Sequence, residues 1–371
     1  MPSLAPLLRA AAMAGMVLSG GTGARAQSAF ESYGSSYRTI SMPPNGAGSF
    51  AMSGDALPDG RIVAATGSEI WLERSARSGV FEIVARVDTS LLGGAMDPAF
   101  LRVSPSGGRL ALGAGLGKPV VVFATTALGS AASPGQIHAA NASVFAIPHY
   151  DAAWADDTHL GLSAGEFGSP SSVSLLDVTS SPASPHNPVI VRNIAGASAG
   201  LAFDSSGRLF TANGYGLGSG SATGTIRAFN ASDWAGGPAD FESGLGTTIG
   251  RVLSGTPLMF DHEGNLAVGG GDFSAGEFGY LAVINARSVS LALAGGGPID
   301  ISDAVSMKRL KPTADPFAFH GAAFNRATGD MYVTVADFVS GTNTWYATVP
   351  EPSVWASLLA AIVLSNRRRR E

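Results

Sequence analysis

The chain has 371 residues, 45% of them hydrophobic and 14% charged, which is ample for a large core and argues against a disordered chain. It contains no cysteine, so disulfides, thiolate metal sites and a cysteine nucleophile are excluded. The formal net charge is −5, but between residues 27 and 348 there are 17 basic and 26 acidic residues, with only Lys118, Lys308 and Lys311 as lysines; such a surface repels nucleic acid.

Residues 1–26 have the parts of a signal peptide. Arg9 supplies a positive flank, Ala10 to Leu18 form a short apolar core, and Gly20, Gly21 and Gly23 stop any helix. Ala24-Arg25-Ala26 fits the small-x-small pattern that signal peptidase accepts, leaving Gln27 as the first mature residue. The next element, Tyr37 to Met42, reads as a strand. Paired with Trp345 to Thr348 near the far end, it would close a ring and remove an open sheet edge.

From residue 56 onward one pattern recurs: an apolar strand, a tight polar turn and a second apolar strand. It reads ALPDGRIVAATG (56–67), FLRVSPSGGRLALG (100–113), AAWADDTHLGLSAG (152–165), LAFDSSGRLFTANG (201–214), LMFDHEGNLAVGG (258–270) and AAFNRATGDMYVTV (322–335). The turn positions Gly60, Gly108, Thr158, Gly207, Gly264 and Gly329 recur at nearly even intervals that widen toward the C-terminus. That spacing is too long for one hairpin and suits a four-stranded propeller blade. Further strands follow each hairpin: SEIWLE with FEIVARV, then VVVFA, SVSLLDV, TIRAFN and YLAVINA. The expected fold is therefore an all-β, six-bladed β-propeller over residues 27–347. The unit FDSSGRLF (203–210) resembles strand-turn-strand units of NHL and gluconolactonase propellers, a likeness that bears on fold more than on function.

Several local motifs carry no chemistry. Gly161-Leu162-Ser163-Ala164-Gly165 and Gly196-Ala197-Ser198-Ala199-Gly200 match G-x-S-x-G, but neither is followed by the helix a nucleophile elbow requires. Gly113 to Lys118 suggests a phosphate loop, yet Pro119 stands where Ser or Thr is needed. SAGEFG occurs at 163–168 and 274–279, and the duplicated turn explains it without a site. His138, His159, His186 and His262 show no metal-ligand spacing.

Propeller topology nonetheless gathers polar residues on the face where loops lead into first strands and out of second ones. That candidate ligand face holds Asp97, His149, Asp151 and His320 from the first set, and Glu69, Glu166, Asn213, Asp272, Glu277 and Asp337 from the second. Carboxylates, an amide and imidazoles around an axis could bind a sugar or Ca²⁺ or another divalent cation. Gluconolactonase-like propellers use such a central metal, although no residue here matches their ligands one by one. No cofactor is otherwise expected.

Residues 348–371 are a separate segment. Val349-Pro350-Glu351-Pro352, the apolar run Val354 to Leu364 and Arg367, Arg368, Arg369 and Arg370 occur in that order. The eleven residues of this run span about 16 Å as a helix against a hydrocarbon core of ~30 Å, and the arginines favour the cytoplasmic side. The segment resembles the PEP-CTERM sorting signal. That resemblance implies Gram-negative export, transient inner-membrane anchoring, processing by an exosortase and delivery to the cell surface or the extracellular polysaccharide matrix. The expected role is binding or scaffolding, on polysaccharide or a surface protein. The alternative is a lactonase-like or sugar-cleaving enzyme with a central divalent metal. A shallow, aromatic-edged face would favour binding, and three convergent carboxylates or imidazoles would favour the enzyme.

Overall fold

The computed structural model describes residues 30, 33 and 37–40 and most of 54–348; residues 95–98, 116, 166–168, 197–199, 215–223, 271–279, 301, 304, 311–317 and 338–341 are not among those described. Tyr33–Pro350 form one compact unit, and residues 1–32 and 351–371 are assigned to another. The signal segment with Ala24, Ala26 and Gln27, and the tail from Val349 to Arg370, lie outside the described residues. Among the described residues, no helix is long and apolar enough to cross a membrane.

Among the described residues the strands form six sheets in chain order, each starting with one of the six repeated hairpins. The first strands are Gly54–Ala56, Phe100–Val103, Asp151–Trp154, Leu201–Phe203, Leu258–Phe260 and Ala318–Phe324. Each neighbours the next, and the sixth returns to the first, so the sheets stand around an axis as a β-propeller. Within a sheet the strands run antiparallel from the axis outward.

The hairpin turns form because polar side chains bind backbone N–H groups that the ladder cannot reach. Asp204 Oδ1 accepts from Ser206 N at 2.8 Å and Arg208 N at 3.0 Å, and Asp261 Oδ1 accepts from Glu263 N at 2.9 Å and Asn265 N at 2.8 Å. The last turn residue is left-handed, with φ of +76° at Gly207 and +83° at Gly264, a conformation that glycine adopts without Cβ strain. In the second repeat this residue is Gly107 (φ +75°), one position before the glycine singled out from the sequence.

The packing lies between neighbouring sheets. Val63, Leu72 and Val84 of sheet 1 meet Leu101, Leu110 and Phe123 of sheet 2 in one buried cluster. Ala111 and Phe145 of sheet 2 meet Trp154 and Leu160 of sheet 3, Val173 of sheet 3 meets Leu209 of sheet 4, and Phe210 of sheet 4 meets Val268 of sheet 5. Each fully buried large side chain contributes roughly 1.5–3 kcal/mol, so no sheet is stable without its neighbours.

Among the described residues, three outer edges carry an addition that the sequence did not announce. The connection between the third and fourth strands of one sheet lays a short parallel strand on the outer edge of the sheet before it. Gly135–Ile137 pairs with Ala85–Val87, Ala239–Asp240 with Val191–Arg192, and Ile299–Asp300 with Gly250–Arg251. Among the described residues two α-helices also lie in these connections, α1 (Ala231–Trp234) and α2 (Ala286–Leu293).

The ring closes at sheet 6. Tyr37–Ile40 pairs antiparallel with Thr342–Thr348, the expected partner, with Tyr37 opposite Thr348 and Ile40 opposite Trp345; Ser41 and Met42 lie outside the described residues. Buried Ile40 packs with Ile62 of sheet 1 and with Ala323 and Tyr332 of sheet 6. Upstream, Tyr33 donates its hydroxyl to Asp261 Oδ2 at 2.8 Å; burial first, then the adjacent carboxylate, pushes the phenol far above its usual range. Between sheets 6 and 1, Arg77 holds Asp330 in a two-pronged ion pair at 2.8 Å, and Asn325 Nδ2 donates to Gly60 O at 2.8 Å.

Candidate ligand-binding cleft

A cavity of about 380 Å³ lies on the axis, lined by residues from the first strands of all six sheets. It extends to Leu57, Pro58, Ser104, Pro105 and Arg326, so it opens among the first hairpin turns. The strand registers identify two equivalent layers around it. The inner layer is Asp55, Arg102, Ala153, Ala202, Met259 and Ala323. One residue closer to the turns stand Ala56, Val103, Trp154, Phe203, Phe260 and Phe324, an aromatic arc spanning four consecutive sheets.

The arc is built into its surroundings. Trp154 Nε1 donates to Arg102 O at 3.1 Å, Phe260 meets Phe210 edge-to-face at a centroid distance of 4.8 Å, and exposed His262 stacks on Phe324 at 5.4 Å. Phe203 and Phe260 are the partly exposed rings of the arc. A second hollow of about 540 Å³ shares Pro105, Trp154, Phe203, Phe260 and Arg326 with the first. It runs outward past His262 and Glu263 to α2. Together they form one cleft, aromatic along its length and polar at its margins.

Opposite the aromatic arc, the inner wall is charged. Asp55 Oδ1 accepts from Ala56 N at 2.8 Å and Oδ2 from Val103 N at 2.9 Å. Burial pushes its carboxyl up from the usual carboxylate value, and Arg102, the two backbone donors and Arg326 only partly offset this. Its surface opens into the cavity while protein encloses the group on its other sides. Arg102 donates through Nε to Ala152 O at 2.8 Å and through Nη2 to Asp151 Oδ1 at 2.7 Å, which fixes the guanidinium in the wall.

The polar face expected from the sequence lies at the other end of the first strands. Of its members, Asp97, Glu166, Asp272 and Glu277 lie outside the described residues, as do the side chains of His320 and Asp337. Glu69 pairs with Arg86 at 3.6 Å. Asn213 Oδ1 accepts from Thr225 N at 2.7 Å, and Asp151 is held by Arg102. His149 is fully buried: Nδ1 donates to Ile147 O at 2.9 Å and Nε2 accepts from Gly115 N at 3.0 Å, with its ring edge-on to Phe100. Both nitrogens are occupied, so the imidazole is a packed structural group and offers no lone pair to a cation. Among the described residues no cluster of three His, Asp or Glu side chains could hold a metal ion.

Burial holds the His149 pKa below its ordinary value, only partly offset by the Ile147 carbonyl. A depressed histidine leaves stability intact above about pH 6.5 and removes it as pH falls toward the folded value, because the unfolded chain then binds the extra proton. The midpoint of thermal unfolding should therefore fall as pH drops below about 6.5. The His149→Gln variant, whose amide can replace both hydrogen bonds, should lose that slope. A wild-type slope that survives the substitution would assign the effect elsewhere.

Asp156 titrates in a different window. Desolvation opposes its ionisation, but hydrogen bonds from Thr158 and His159 outweigh it and hold the carboxyl at about 2. Its contribution is lost only as pH falls from about 4 toward 2.

No protein-family model matches the sequence, and no curated protein matches it. Solved structures do. A luciferin-regenerating enzyme aligns over 84% of this chain and 94% of its own, at 13% identity and a TM-score of 0.52. The calcium-binding protein regucalcin of Agrobacterium tumefaciens covers 84% and 93% at 12% identity and 0.49, and a streptogramin B lyase covers 84% and 97% at 8% and 0.47. At such identities the likeness concerns the fold alone, a β-propeller.

Proposed function

We propose that this chain is an exported, six-bladed β-propeller that binds extracellular polysaccharide at its turn-face cleft and is delivered to the Gram-negative cell surface by its PEP-CTERM-like tail. The observation that carries this reading is the cleft, where aromatic residues at equivalent positions of four consecutive sheets border an axial cavity. Aromatic rings offer flat apolar surface to the C–H faces of sugars, and polar groups at the margins suit the hydroxyls around a sugar's edge. The tail supports delivery through its order of parts, Pro-Glu-Pro, apolar run and four arginines.

Two measurements test the proposal. Deleting residues 349–371 should release a folded body into periplasm or medium, and envelope retention of the truncated chain would refute the sorting role. The double variant Phe203→Ala, Phe260→Ala should lose polysaccharide retention in affinity electrophoresis while still unfolding cooperatively. If binding survives that change, the cleft is not the site. A thermal midpoint raised by added Ca²⁺ would favour the metal-dependent enzyme instead.

A further inference from the structure

The two charged residues of the inner layer are adjacent, and the layer is otherwise small or apolar. From sheet 3 to sheet 6 the equivalent positions are Ala153, Ala202, Met259 and Ala323, so the cavity exists largely because alanines stop short of the axis. Its wall is therefore two-sided, with apolar methyl surface under the aromatic arc and the Asp55 carboxylate beside the Arg102 guanidinium opposite. Each Asp55 oxygen receives one backbone N–H and keeps a second acceptor site. Arg102 makes firm bonds through Nε and Nη2; its third, from Nη1 to Leu101 O, is long at 3.4 Å, so N–H groups remain for a ligand.

Resting on the cleft reading above, we infer that Asp55 and Arg102 read two adjacent hydroxyls of one sugar ring: Asp55 accepts from one and Arg102 donates to its neighbour. A sugar ring carries one relatively apolar face and an edge of hydroxyls, which matches the two-sided wall. An acceptor beside a donor suits a vicinal diol, because one hydroxyl gives its proton while the next offers a lone pair. Both protein groups are fixed before binding, Asp55 by two backbone amides and Arg102 by Asp151 and Ala152, so little ordering is required of them. A neutral sugar fits better than an acidic one, since its hydroxyls can satisfy a carboxylate that a ligand carboxylate would repel.

The test uses the purified full-length chain and an array of neutral gluco-, manno- and galacto-oligosaccharides. The same array after periodate treatment, which cleaves vicinal diols, is the control. Wild type should bind members of the first array and bind the oxidised set about tenfold or more weakly. Asp55→Asn should weaken binding by a similar factor; its single amide oxygen can serve only one of the two backbone donors, so its thermal midpoint should fall while unfolding stays cooperative. Ala153→Leu, which fills the cavity from the apolar side and leaves both charged residues in the chain, should also abolish binding and serves if Asp55→Asn does not fold. Undiminished binding of the oxidised array, or Asp55→Asn binding within twofold of wild type, overturns the inference. If Phe203→Ala, Phe260→Ala loses binding in that case, the cleft stands and only the diol assignment falls. If no member of the array binds, the sugar class itself is wrong.

Discussion

Removing residues 27–40 should destroy cooperative unfolding of the body. The deletion strips Tyr37–Ile40 from Thr342–Thr348, leaves the ladder groups of that strand unpaired and takes Ile40 out of its contacts with Ile62, Ala323 and Tyr332. It also removes the Tyr33 hydroxyl from Asp261. A net hydrogen bond contributes about 0.5–1.5 kcal/mol and a buried isoleucine about 1.5–3, so together these losses approach the 5–15 kcal/mol that typically stabilises a whole domain. Circular dichroism during heating gives the readout. A synthetic peptide spanning residues 27–42, added to the truncated chain, should restore part of the transition by refilling the edge. An unchanged midpoint in the truncated chain would show that the ring does not depend on this strand.

The second large effect is expected at the same junction. Asp330 is completely buried, and Arg77 reaches it from the connection between the third and fourth strands of sheet 1. Arg77→Ala takes the guanidinium away from that carboxylate, whose remaining partners include Thr328 Oγ1 at 3.0 Å and the Tyr332 hydroxyl at 3.4 Å. Removing one partner of a buried pair costs about 3–5 kcal/mol; because the Arg77 side chain is itself 43% exposed, about 2–3 kcal/mol is the better expectation. Arg77→Lys should recover little of it, because a lysine cannot reproduce the two-pronged geometry. Urea unfolding of the three proteins measures this. A loss in Arg77→Ala no larger than that of an ordinary surface substitution, about 0.5 kcal/mol, would mean that water or other groups already satisfy Asp330.

The architecture was legible in the sequence because its signals are local. An acidic residue three positions before a glycine, with an apolar strand on either side, states a hairpin at Asp204–Gly207 and again at Asp261–Gly264. Repetition of that hairpin at the interval of a propeller blade then states the sheet. The parallel additions were not legible, since pieces of two or three residues such as Ala239–Asp240 have no periodicity and are defined only by the edge they meet. The cleft was hidden for another reason. Charged and polar loop residues gather at the far end of the first strands, where the described side chains of Asp151, Asn213 and His149 are bound within the protein. The aromatic arc was in plain view as Trp154, Phe203, Phe260 and Phe324, each the last residue of a repeated first strand. Only the registers of six hairpins, whose spacing drifts along the chain, show that these positions form one layer.

The parallel additions also decide where this chain can tolerate change. Connections between third and fourth strands lie at the surface and would ordinarily accept insertions. Here those at 125–141, 230–246 and 285–306 each hold a neighbour's outer edge, so a longer loop there would loosen a sheet other than its own. The connection of sheet 1 carries Arg77 and is tied to sheet 6. That leaves residues 179–188 of sheet 3, whose described hydrogen bonds stay within the loop and the strand before it: Leu175 N to Pro188 O, Asp177 N to His186 O and His186 N to Ser180 Oγ. Correspondingly, among the described residues no fifth strand lies beside the outer strand of sheet 2, Ala142–Phe145. Length variation, a displayed epitope or a fused passenger domain therefore has a permissive address on this side of the ring, and it is the proline- and serine-rich stretch SSPASPHNP.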